Sequence, residues 1–206
     1  MRAITGWPDL GFDQDGALRL GRTETSGGSQ TARNLLSKAV AGGNVIVIED
    51  ASNRADVAFG RVVEGRWTRT DDAVKRKPPV YIILIDFADF THVMGDRAAL
   101  VAFNVGWGLL HEIDHVVHDS VDPVREGGLG ECEDLINRMR RECGLAERAE
   151  YHFTFVPGSN GSAYMTKLVR LAFEQRTPEM KKRYWVVWDA NLVGGLDEHN
   201  QVAAVR

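Results

Sequence analysis

The chain has 206 residues, 44% hydrophobic and 26% charged, with a net charge of −4 at pH 7. That length can bury one sizeable core, and the balance is that of an ordinary globular domain, not a disordered, collagenous or disulfide-dense chain. A mildly acidic protein has no electrostatic reason to take nucleic acid or an anionic membrane as partner, and no stretch reaches the roughly 18 apolar residues of a membrane span. The opening residues, Met1-Arg-Ala-Ile-Thr-Gly-Trp-Pro, hold no apolar core of signal-peptide length, so the expected location is the cytoplasm, or outside it by export without a cleavable signal peptide. Cys132 and Cys143 lie in what reads as one helix. Their separation there is about 16 Å, too far for a disulfide, and reduced thiols are expected.

Residues 1–30 are rich in Gly, Asp, Ser and Thr, and Ser26-Gly-Gly-Ser29 reads as loop. Thr31 to Ala41 has helical periodicity through Leu35, Leu36, Ala39 and Val40, and Gly42-Gly43 stops it. Asn44 to Glu49 is a strand nearly continuous in β-branched residues, and Val57 to Val63 offers a second. Lys75 to Pro79 is a charged, proline-terminated connection before Val80 to Asp86, the strongest strand, apolar on both faces and expected to be central. Residues 97–118 read as one long helix, which Pro123 keeps from running past Asp122. Gly127, Gly128 and Gly130 mark a tight loop, and Glu131 to Cys143 is a second long helix closed by Gly144. Tyr151 to Val156 is a candidate strand, followed by a turn over Pro157 to Gly161. Lys167 to Phe173 and Arg183 to Trp188 form a hairpin through Thr177-Pro178. The short basic runs at Lys75–Lys77 and Lys181–Arg183 read as solvated turns. Trp7, Trp67, Trp107, Trp185 and Trp188 are scattered, which suits core or interface packing better than a carbohydrate platform.

The informative residues are His111-Glu112-Ile113-Asp114-His115, inside the first long helix and after an apolar run from Leu100 to Leu110. Positions four apart share a helix face at about 6 Å, so both imidazoles can reach one ion, and the Glu between them can polarise a zinc-bound water. That is the zincin pattern, two His ligands and a Glu base.

A zinc hydrolase needs a third protein ligand and an open position. A metzincin would place Gly at 118 and a ligand at 121, where this chain has His118 and Val121. His111 and His118 stand about 10.5 Å apart along a straight helix and cannot share one ion, so His118 is expected beside the site, facing substrate, or simply on the surface. The remaining option is a carboxylate from the second helix, as in gluzincins, with Glu126, Glu131 and Glu133 available. Glu133 is favoured because Asn137, one turn later, could accept the free N–H of a ligand His, whereas Glu131 has only Leu135 at that offset.

The run Asn137-x-x-Arg140-x-Glu142-x-Gly144-Leu145-x-x-Arg148-x-x-Tyr151 resembles the closing signature of NleD-like zinc metallopeptidase effectors and of metallopeptidase domains in polymorphic toxins. The likeness covers roughly residues 30–152, and a His three residues beyond HExxH, here His118, fits it. Ile136 stands where that family has Glu, and the spacer from HExxH is shorter; both departures bear on the third ligand. Arg148-x-x-Tyr151 is similar to the pair with which clostridial neurotoxin proteases stabilise the oxyanion of peptide hydrolysis.

The expected fold is thus α+β and zincin-like: a mixed β-sheet packed on a long motif helix and a second ligand-bearing helix, with a C-terminal β-hairpin. It is read as a single domain over 1–206, with a core at about 30–152 and a β-rich appendage at 163–196. The expected function is a zinc-dependent endopeptidase acting on a protein or peptide, with Zn2+ held by His111, His115 and Glu133, and with Glu112, Tyr151 and Arg148 as catalytic groups. The alternative is a zinc-stabilised or metal-free binding or assembly module, oligomerising through the hairpin. A weaker third reading is a peptidoglycan or small-peptide hydrolase. A purely structural zinc has no need of a base at Glu112, which favours catalysis.

Overall fold

The computed structural model describes residues 1–65, 78–123, 128–156, 167–177 and 180–194. In chain order the elements are α1 (Arg2–Thr5), β1 (Gly11–Phe12), β2 (Leu18–Arg19), α2 (Gln30–Ala41), β3 (Val45–Asp50), β4 (Gly60–Glu64) and β5 (Val80–Ile85). There follow β6 (Met94–Gly95), α3 (Arg97–Ala102), α4 (Val105–His118), α5 (Gly130–Glu142), β7 (Glu147–Arg148), β8 (Thr154–Phe155), β9 (Leu168–Arg176) and β10 (Lys181–Asp189). The fold is α+β.

β5 is the middle strand of a three-stranded sheet, parallel to β3 and antiparallel to β4. Ile83 and Ile85 on β5 are buried against α4, which packs on β4 and β5 with one face and on α2 and α5 with others. Leu35 and Leu36 of α2, Trp107 and Leu110 of α4, and Ile136 and Met139 of α5 close this first core. The second sheet runs β6-β10-β9-β7, with β8 also on β9. Its inner face carries Val169, Leu171, Phe173 and Trp188, which pack with α3 into a second core. Phe59 and Phe103 lie edge-on to one another at 5.0 Å between ring centres, and Phe59 meets Trp188 at 5.3 Å. Among the described residues no helix is long and apolar enough to cross a membrane.

Several expectations change. The single helix over 97–118 is two helices: Phe103 is extended (φ −134°, ψ 92°), and the Asn104 side chain accepts from Gly106 N at 3.0 Å as the cap of α4. A capping Asn followed by Gly106 and Gly108 makes restarting cheaper than continuing. The helix does end at His118, as expected, and the cause is Asp119, which adopts a left-handed conformation (φ 53°) before Pro123 is reached. Residues 1–10, for which no element was expected, contain α1 and a turn that deliver Ile4, Trp7 and Leu10 to the first core. The C-terminal hairpin is present, and it is not peripheral, because its inner face makes the second core. Lys181–Arg183 is strand rather than turn, with Lys181 and Arg183 paired to Glu174. The strand expected at Tyr151 to Val156 shrinks to β8, and that at Val57 to Val63 begins only at Gly60. Trp67, Lys75–Lys77 and Pro178 lie outside the described residues, as does the turn expected over 157–161.

The cap of α2 joins it to α5. Ser29, fully buried, accepts from Ala32 N at 2.9 Å and donates to Glu142 at 2.6 Å, while Thr31 gives Glu142 both its backbone N–H and its hydroxyl. Burial raises the Glu142 pKa, but the donors from Ser29 and Thr31 outweigh it and hold the carboxyl below its ordinary value. A pKa lower in the folded than in the unfolded state stabilises above the unfolded value and is lost as pH falls through the folded one. Ser29→Ala is expected to cost about 1–2 kcal/mol in urea denaturation at neutral pH. The stability gap between wild type and Glu142→Gln should shrink as pH is lowered through the acid range; a gap that widens there contradicts the geometry.

Candidate metal centre

The motif residues lie where a helix puts them. His111 and His115 are neighbours on one face of α4, with ring centres 4.8 Å apart and planes at 84°. His115 Nδ1 is 2.7 Å from the Ser120 carbonyl, which can only accept, so Nδ1 carries the proton and Nε2 offers its lone pair outward. His111 Nδ1 faces Cys132 Sγ at 3.2 Å and Glu133 Oε2 at 3.4 Å. Its Nε2 faces the same space as that of His115.

Glu133 does not occupy that space. It lies fully buried on the Nδ1 side of His111, with Oε1 paired to Arg140 and Oε2 to Arg148 at 3.0 Å. Burial would raise its pKa, but the two guanidiniums hold it well below the usual carboxylate range. Nor does Asn137 touch a histidine: its amide oxygen accepts from Arg140 and from Arg148 N, and its NH2 donates to Arg148 O. Both departures have one cause. Glu133, Asn137 and Arg140 recur at helical spacing, so a phase of α5 that turns Asn137 toward β7 turns Glu133 there too. Glu131 is exposed on another face of α5, and Glu126 lies outside the described residues.

The residue that faces both Nε2 atoms is Asp122, which the sequence reading passed over. Its Oδ1 is 3.2 Å from His111 Nε2, and its Oδ2 is 3.5 Å from His115 Nε2. Oδ1 is shut off from solvent yet has no hydrogen-bond partner of proper geometry among the described residues. Burial raises the Asp122 pKa, but the two imidazoles outweigh it and hold the carboxyl far below its ordinary range. The imidazoles in turn are raised above their ordinary value despite burial. The signal that could have found Asp122 is the early end of α4: a left-handed residue at Asp119 folds the next three residues back over the helix face, and Pro123 then fixes the exit.

Tyr151 belongs to the site. Its ring stacks on His111 (6.2 Å, 27°), and burial, with the Asp122 carboxylate adding to it, pushes the pKa of its hydroxyl up. Arg148 is held further back, with its guanidinium 4.6 Å from the Tyr151 ring centre and hydrogen-bonded to the Tyr151 carbonyl and to Glu133. Arg148 therefore positions the tyrosine and does not face the convergent side. Glu112 is buried beside β4. Desolvation raises its pKa, both imidazoles pull it back, and Asp122 pushes it up again. A Cβ at Gly60 would stand 3.3 Å from the Glu112 carboxylate, so glycine there leaves the acid its place. Cys132, fully buried, completes a His111, His115, Cys132 group whose donor atoms lie within 4.8 Å of one another; burial raises its thiol pKa to about 11. His118 points away from the centre, toward Asp114 and Lys38.

Two imidazole Nε2 atoms and the carboxylate they converge on, at 3.2 and 3.5 Å, are nitrogen and oxygen donors that fit a divalent ion of the zinc type in place of the protons they share. No protein-family model, no curated protein and no solved structure matches this chain.

Removing the Glu133 charge leaves two guanidiniums together, one of them fully buried, so Glu133→Gln is expected to lose about 3 kcal/mol of stability in urea denaturation. A loss under about 0.5 kcal/mol, the scatter of an exposed pair, contradicts the buried cluster.

Proposed function

We propose that the chain is a zinc-dependent, zincin-like endopeptidase acting on a protein or peptide, with His111, His115 and Asp122 as metal ligands. The observation that carries the reading is the convergence of both Nε2 atoms on the Asp122 carboxylate, with Glu112 buried alongside. A bound zinc ion supplies Lewis acidity, lowering the pKa of a coordinated water and polarising the scissile carbonyl.

The chain's own residues do the rest. Glu112, desolvated and with its pKa raised, takes a proton from the attacking water and returns it to the amine as the C–N bond breaks. Tyr151, held by Arg148 through its carbonyl and its ring, offers a hydroxyl to the developing oxyanion. Ser120, through its backbone oxygen, fixes the tautomer of His115, and Glu133 does the same for His111.

A second reading has its own observation. Cys132 Sγ lies beside His111 Nδ1, so an ion held by Cys132 would take that nitrogen and not the Nε2 that faces Asp122; a His111, His115, Cys132 set of this kind would suit a structural zinc in an assembly module.

Protein purified without added metal should hold about one zinc per chain by elemental analysis, lost in His111→Ala. Asp122→Ala should weaken zinc at least tenfold and Cys132→Ser by less than threefold; the reverse order would favour the Cys132 centre. Glu112→Gln should keep the zinc and cut hydrolysis of an unfolded protein substrate by about 100-fold or more. Turnover within tenfold of wild type would overturn the assignment of Glu112.

A further inference from the structure

On the other side of α4 from Glu112 lies a cleft of about 400 Å3 between α2, α4 and α5. Leu35 and Leu135 form its apolar floor, and Lys38, Arg138 and His118 reach it from three different helices. Arg138 makes no ion pair or hydrogen bond among the described residues, and Lys38 has only the His118 Nε2 lone pair, at 3.1 Å. The Asn34 side-chain Oδ1 accepts from Gln30, which leaves the NH2 of this lining residue as a donor. Of the two lining carboxylates, Asp114 is buried and spent on His118 and Ser120, and Glu131 stands exposed at the rim. Two under-partnered cations, an amide donor and an apolar floor suit a ligand with one anionic head and a short aliphatic body.

The cleft is also wired to the metal face. Lys38 Nζ contacts His118 Nε2, and His118 Nδ1 donates to Asp114 Oδ1 at 2.6 Å. Ser120 Oγ donates to Asp114 Oδ2 at 2.6 Å, and the Ser120 carbonyl holds His115 Nδ1 at 2.7 Å. The side-chain links run from Lys38 through His118 and Asp114 to the Ser120 hydroxyl, and the backbone of Ser120 carries the carbonyl on His115, so drawing Lys38 away from His118 shifts the residue that holds His115.

We propose that this cleft is a second binding site, for a small carboxylate-bearing ligand with an aliphatic side chain, and that its occupancy is felt at His115. Binding itself does not depend on the zinc reading and is measured on the metal-free full chain.

N-acetyl-leucine is the probe, with N-acetyl-leucinamide as its uncharged twin. Titration calorimetry should give N-acetyl-leucine a millimolar dissociation constant and the amide at least tenfold weaker binding, the cost of a lost charge-assisted contact. Lys38→Gln and Arg138→Gln, both at exposed positions, should each weaken N-acetyl-leucine at least fivefold with an unchanged Tm. In side-chain NMR of wild type, the His118 ring signals should move on titration and those of His115 should follow. No binding at 20 mM, equal binding of acid and amide, or wild-type affinity in both variants would overturn the site. A His115 signal that stays fixed while that of His118 moves would overturn the coupling.

Discussion

The buried carboxylate of Glu133 between Arg140 and Arg148 is the interaction on which the rest of the architecture hangs. A charge with almost no solvent must be paired, and here one carboxylate spends an oxygen on each guanidinium. Those two arginines then reach outward. Arg140 donates to the Ala102 carbonyl at the end of α3 and lies 5.4 Å from the Trp107 ring centre and 5.3 Å from that of Phe173, one ring from each core. Arg148 leads to Tyr151. The helix bundle and the second sheet are therefore joined through a charged knot as well as through the apolar side chains of Leu145 and Phe90, which reach both cores.

The same knot decides what can face the two histidines. With Glu133 on its Nδ1 side, His111 is oriented from behind, and the space in front of its Nε2 is left to a residue from elsewhere. The return of the chain after α4 supplies that residue. Ser120 takes the Nδ1 of His115 with its backbone and Asp114 with its hydroxyl, and two residues later Asp122 meets both rings. A carboxylate on a short tight turn costs less chain entropy to place than one on a distant element, and the left-handed Asp119 is what permits the turn.

The pair of histidines and the acid between them were legible because helix geometry alone brings them together: residues four apart on any α-helix share a face. The central position of β5 was legible from an apolar run on both faces, and the C-terminal hairpin from two strand-like runs about a turn. Tyr151 was reached by the resemblance to other zinc peptidases and stands beside His111. Glu133 is a miss that teaches something. The pattern pointed to a residue that does contact His111, though on its Nδ1 side, because periodicity gives a helix its faces without saying which neighbour each face meets. Asp122 and Cys132 were missed because neither has a ligand's spacing along the chain; both come to His111 by the folding back of one segment and the packing of another.

What the sequence by itself determined is local: the helical pair His111 and His115 with Glu112 beside them, the α+β alternation of elements, and the stops at Gly42 and Gly144. Each follows from intrinsic geometry within a few residues. The tertiary structure alone decided which carboxylate faces the imidazoles and that residues 1–10 and 168–189 build core. It also decided that His118 looks into a separate cleft. Those outcomes depend on the rotation of α5 about its axis and on the left-handed break after His118, and a buried charge pair with the capping of a helix end set them through contacts between residues far apart in the chain.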